Sequence, residues 1–203
     1  TAARKSYYGL LDTTYSQEKI PIIASHGAAN GKRSITEWDK SDYPRRAAQF
    51  CDIDINFYDD ELIRIAKSDG LFGLQLDERR IASKKAVNKS KVLLYNRKRQ
   101  LKKKSLLVWR QIEHVAEVLD KEGLFCWGIQ AIGSDFDGII NPLKGIWTAE
   151  DMKDLAEALT THALHYMQNQ RDQLQPFNRI SAQTIVERVM HQNAMDFLKN
   201  SFN

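Results

Sequence analysis

The chain reads as an α/β protein of parallel strands with covering helices. The pattern predicts part of a (β/α)8, TIM-type barrel, folded as one domain over residues 1–203. Three observations predict this. Short, continuously apolar runs alternate with helical periodicities, the pattern of strands covered on both faces by crossover helices. Two of the runs end in a chemically capable side chain beside a glycine: Pro21-Ile22-Ile23-Ala24-Ser25-His26-Gly27 and Gly128-Ile129-Gln130-Ala131-Ile132-Gly133-Ser134-Asp135-Phe136-Asp137-Gly138. Strand C-termini are where barrel enzymes place such groups. Only three strands are recognisable, against the eight of a closed barrel, so a part of a barrel is expected.

The elements follow in order. Residues 2–11 form a helix with Tyr7, Tyr8, Leu10 and Leu11 on its apolar face, and 12–19 are a polar connection. Ile20 to Ser25 is a short buried strand. The Gly-, Asn-, Ser- and Pro-containing stretch 27–46 lacks periodicity and reads as a long loop, a common site of function. Asp59-Asp60-Glu61 places three acids in the first turn of a helix, where the macrodipole favours them, and this helix runs to about Ser68. Leu71 to Leu76 is the second strand, and Asp77-Glu78-Arg79-Arg80 after it reads as a salt-bridged loop at the active end of a barrel. Residues 82–120 carry a mostly helical pattern with a basic middle, closed by Gly123, and 124–132 form the third strand. Thr148-Ala149-Glu150-Asp151 opens a helix, and Ser181-Ala182-Gln183-Thr184 opens the last one.

Composition narrows the function. Apolar residues make up 42% and charged residues 28% of 203, which excludes a disordered chain. The net charge of +4 is local to Lys84–Lys104, a run read as a solvated helical face, and no nucleic-acid partner is expected. No apolar stretch approaches the roughly 20 residues that span a bilayer. The opening Thr1-Ala2-Ala3-Arg4-Lys5 has no Met and reads as mid-helix, so a fragment or processed chain is expected. Cys51 and Cys126 lack metal-type spacing and sit in apolar surroundings, as buried free thiols do.

His26 is either a loop-start histidine bonded to backbone or a metal ligand held rigidly at a strand end. Asp135 and Asp137 either cap a glycine-flanked turn or supply a carboxylate that moves a proton. Strand alternation would face these two aspartates alike, with Phe136 turned away. His114, on an amphipathic helix, reads as structural.

Ile-Ala-Ser-His-Gly at 23–27 and Gly-Ser-Asp-Phe-Asp-Gly at 133–138 resemble the membrane (renal-type) dipeptidase family of metallopeptidases, which are amidohydrolase-like barrels. Three further segments are similar to that family in the same order: Asn56 to Gly73, Ile112 to Val118, and Asn193-Ala194-Met195-Asp196-Phe197. The resemblance implies that the chain is the C-terminal half of such a barrel, and it implies hydrolysis of a dipeptide or small amide at a site holding two zinc ions. It implies His26 as a metal ligand and Asp135 as the proton carrier. The family arginine for the substrate carboxylate is replaced by Ile55 at its strict position, and Arg45, in Tyr43-Pro44-Arg45-Arg46, is the candidate in its stead. Family members are often exported or membrane-anchored. With the first-strand ligands absent, the chain alone is expected to hydrolyse nothing, and the open sheet edge of a half barrel invites self-association. The alternative is a non-catalytic binding or scaffold protein that keeps the barrel half.

Overall fold

A computed structural model describes residues 2–15, 20–92 and 96–202. The chain forms a mixed α/β structure in the order α1 (Ala2–Thr13), β1 (Ile23–Gly27), α2 (Pro44–Ala47), α3 (Asp59–Lys67), β2 (Leu71–Leu74), α4 (Glu78–Ile81), α5 (Lys84–Lys89), α6 (Arg97–Lys121), β3 (Gln130–Ile132), α7 (Met152–Gln170), α8 (Ala182–Glu187) and α9 (Asn193–Phe202). The strands make one three-stranded sheet in the order β1-β2-β3, with both pairings parallel. Consecutive strands are therefore spatial neighbours, and all three C-termini lie at one end of the sheet.

Local chemistry accounts for most of the boundaries. In α3 the carboxylate of Glu61 turns back to accept the Tyr58 N–H at 2.9 Å, closing the first turn, while Leu62 and Ile65 are fully buried. Asp77 caps α4 by accepting the Arg79 N–H at 2.8 Å, so the expected salt-bridged loop after β2 is a helical turn. The mostly helical pattern over 82–120 is divided between two helices. Ser83 caps α5, and Asn96 caps α6 by accepting the Arg99 N–H at 2.9 Å. Residues 93–95 of that stretch lie outside the described residues.

The third strand is shorter than its apolar run. Strand pairing is confined to Gln130–Ile132, although Cys126 and Trp127 are fully buried. Asn178 takes the place of a ladder. Its Oδ1 accepts the Cys126 N–H at 3.1 Å, its Nδ2 donates to Leu124 O at 3.0 Å and Asp120 Oδ1 at 2.7 Å, and its carbonyl accepts the Trp127 indole N–H at 2.8 Å. The segment is apolar because it is core, and its backbone groups are satisfied by a side chain instead of a neighbouring strand. The last helix is likewise interrupted, by a π turn at Arg188–Gln192. Just after it, Asn193 Nδ2 donates at 2.8 Å to both Trp127 O and Gln130 O, tying the helix to the base of β3.

The core lies between the sheet and helices α3, α6, α7 and α8. It encloses polar pairs. His114, fully buried as its structural reading requires, has Nε2 2.7 Å from Asp59 Oδ1, with the Tyr43 and Phe50 rings edge-on to the imidazole. Arg46 bridges Glu113 and Glu117 of α6, each at 2.9 Å. Gln111 reaches from α6 to Ala29 and Ile81, accepting the Ala29 N–H at 2.7 Å and donating to Ile81 O at 2.8 Å. Lys104 corrects the reading of 84–104 as a solvated face: it is buried and ion-paired to Glu78 at 2.8 Å. Both cysteines are free, Cys126 buried and Cys51 half-buried. Among the described residues no helix is long and apolar enough to cross a membrane.

Candidate functional site

The mouth of the sheet is shaped by a bulge in β1. Ala24 pairs with Phe72 and Gly27 with Leu74, so three steps on β1 match two on β2. The extra residue falls at Ser25-His26. Strict alternation would send His26 to the same buried side as Ala24; the bulge instead leaves both Ser25 and His26 exposed while Gly27 is buried again. The imidazole Nδ1 lies 3.0 Å from Ser25 Oγ.

Two glycines make room for this bulge. A Cβ built on Gly73 or on Gly133 would fall on the Ser25 carbonyl oxygen, far inside van der Waals contact. The Ser25 peptide therefore lies across β2 onto the end of β3, with only hydrogen between. This brings the residue before His26 against a residue two positions ahead of Asp135, more than a hundred residues apart in sequence.

Asp135 follows Gly133 and Ser134 and adopts φ = 56°, a left-handed conformation that aspartate tolerates better than most residues. Its carbonyl accepts the N–H groups of Gly138 at 3.0 Å and Ile139 at 2.7 Å, and its carboxylate packs over Gly138. The strand has already ended at Ile132, so alternation does not carry to the aspartate pair. Asp135 lines a cavity of about 650 Å³ next to the ends of β2 and β3, whereas Asp137 is exposed and lies outside it.

That cavity collects groups of both signs. Arg79, Arg80, Lys84 and Lys91 line it with Asp77 and Asp135, beside apolar Ile53, Val87 and Ile139. Asn56 fixes Arg80: Arg80 Nε donates to Asn56 Oδ1 at 3.0 Å, and Asn56 Nδ2 donates to Arg80 O at 2.8 Å. Asp77 is committed to backbone, accepting from Arg79 and Asn141. Asp135 has no hydrogen-bond or ion-pair partner for its carboxylate among the described residues. Gln75, just past β2, is 3% exposed and lines the cavity with Nε2 lacking any hydrogen-bond partner, a buried donor open to a ligand. Burial also holds the Cys51 thiol above its usual range, which keeps it protonated and unreactive at neutral pH.

No protein-family model, curated protein or solved structure matches this chain significantly.

The structure brings the segments of His26 and Asp135 together at one end of the sheet, but His26 is not among the residues that line the Asp135 cavity. Arg45 stands apart from both. On α2 it borders a separate groove of about 360 Å³ with Lys85, Lys89 and Arg110. No group of three or more His, Cys, Asp and Glu side chains capable of holding a metal occurs among the described residues. One imidazole does not by itself make the two-zinc site that the family resemblance implies.

Gln75 lines the cavity and Asn56 stands behind Arg80, and the sequence assigned a role to neither. Arg80 carried a faint signal as a cation just past a strand end. Gln75 carried none, because its importance lies in a partner that is missing.

Proposed function

We propose that the protein carrying this chain hydrolyses dipeptides or similarly small amides, that its sheet is a segment of a (β/α)8 barrel, and that Asp135 handles the proton. The consecutive parallel order of the strands supports the barrel segment. The observation that carries the activity is the cavity itself: an uncommitted carboxylate, fixed and free cations, a buried unpaired amide donor and an apolar wall meet in a space of about 650 Å³, a size suited to a small ligand.

Each group has a task in this reading. The Arg80 guanidinium, braced by Asn56, holds the substrate carboxylate, the task that the family resemblance gives to Arg45. Ile53, Val87 and Ile139 receive a side chain. Gln75 Nε2 donates to a substrate carbonyl. Water oxygen adds to the amide carbon while Asp135 takes its proton. The C–N bond then breaks, and the same proton passes to the leaving amine nitrogen.

Asp135→Asn tests this cleanly, because asparagine is at ease at positive φ and the turn is kept. In the whole protein, release of free amino acids from a dipeptide should fall by about 10²–10⁴-fold in kcat with Tm unchanged. Undiminished turnover would remove Asp135 from the chemistry. Absent turnover in the parent, with dipeptide still bound, would leave a binding protein in place of an enzyme.

A further inference from the structure

The Asp135 cavity has a neighbour. Beyond Lys91 and Ile140, which border both, lies a second cavity of about 700 Å³, again large enough for a small organic ligand. Part of its charge is locked. Lys104, 1% exposed, sits 2.8 Å from Glu78 Oε1 and donates to Ser90 Oγ at 2.8 Å. Arg97, two turns earlier on α6, is ion-paired with Asp151 at 3.0 Å and Asp154 at 2.6 Å.

Lys91 and Lys144 differ. Both are exposed, both line the cavity, and neither ammonium has an ion-pair partner among the described residues. The same cavity is lined by Trp147, whose residue is 55% exposed, and by Ile140, 77% exposed. Their apolar surfaces are not used by the core. The backbone under the indole is nevertheless anchored: Trp147 N–H donates at 2.9 Å to Asp151 Oδ2, the carboxylate that also holds Arg97. An exposed ring on an anchored backbone, beside two uncommitted cations, suits a planar group bearing negative charge.

We infer that this second cavity binds a small planar anion, an aromatic or heteroaromatic ring carrying a carboxylate or a phosphate. The ring lies on Trp147 and Ile140, and the anionic group lies between Lys91 and Lys144. Binding of a single-stranded nucleic acid would call for successive stacking rings along a groove, and Trp147 is the one aromatic residue lining this cavity among the described residues. Lys144 and Trp147 line this cavity and not that of Asp135, so the two can be tested apart.

Calorimetric titration of the 203-residue chain with benzoate, phenyl phosphate, benzyl alcohol, inorganic phosphate and a single-stranded oligonucleotide tests it. One or both ringed anions should bind at millimolar Kd or tighter, with benzyl alcohol and inorganic phosphate about tenfold weaker. Preference between benzoate and phenyl phosphate then identifies the anionic group. Lys144→Gln and Trp147→Ala, both at exposed positions, should each weaken binding about three- to tenfold with unchanged circular dichroism, and Asp135→Asn should bind like the parent. Failure of both ringed anions to bind would overturn the assignment. So would inorganic phosphate matching them, unaltered binding in both variants, or binding of a single-stranded oligonucleotide alone.

Discussion

Replacing His114 by alanine is expected to lower the unfolding free energy by about 4 kcal/mol, the cost of stranding one partner of a buried pair. The imidazole is fully buried with Nε2 2.7 Å from Asp59 Oδ1, and its loss leaves that carboxylate facing a hole walled by Tyr43 and Phe50. Asp59 opens α3, the helix packed between α6 and the sheet, so the damage falls on the element that leads into β2. Urea melts of the parent and His114→Ala provide the measurement. A change below about 1 kcal/mol would mean that the pair contributes little beyond packing.

The second large effect is at Gly133. A methyl group there would meet the Ser25 carbonyl oxygen and come within 3.0 Å of Gly73 Cα, all of it backbone. Backbone cannot step aside as a flexible side chain can, so Gly133→Ala should cost about 3 kcal/mol and push the Ser25-His26 bulge off the end of β3. Gly9→Ala is the control, since a Cβ there meets nothing within 4 Å; helix propensity makes that change neutral or mildly stabilising. Denaturant unfolding gives the energies, and the His26 ring resonances report the displacement. If Gly133→Ala were as mild as Gly9→Ala, with His26 unmoved, the packing of β1 over β3 would be wrong.

Elements with strong local signals were legible in the sequence. The acids of Asp59-Asp60-Glu61 marked the start of α3, and the alternation of apolar runs with helical stretches gave a parallel sheet of three neighbouring strands. What stayed hidden depends on partners far along the chain. The run 124–132 looks like strand throughout, and only Asn178, some fifty residues later, explains why its first part is not. Lys104 sits in a basic run that reads as solvated, and its burial follows from Glu78 on another element. The bulge at Ser25-His26 leaves no mark in composition, yet it decides which way the imidazole faces. Strand alternation failed for Asp135 and Asp137 because the strand stops three residues short of Asp135 and the chain turns through positive φ. Arg45 rests on the local likeness of Tyr43-Pro44-Arg45-Arg46; Arg80, which lines the cavity of Asp135, is placed there by Asn56, a contact between separate elements.

The most direct test of a dipeptide-sized ligand beside Asp135 is the side-chain amide of Gln75, whose Nε2 is buried and unpaired. In 15N-resolved spectra of the chain titrated with a zwitterionic dipeptide such as glycyl-leucine, the Gln75 amide resonances should shift and saturate with the backbone amides of Asp135 and Arg80. The shifts should be lost in Arg80→Gln. Saturable binding that leaves Gln75, Arg80 and Asp135 unmoved would place the ligand elsewhere and contradict the site.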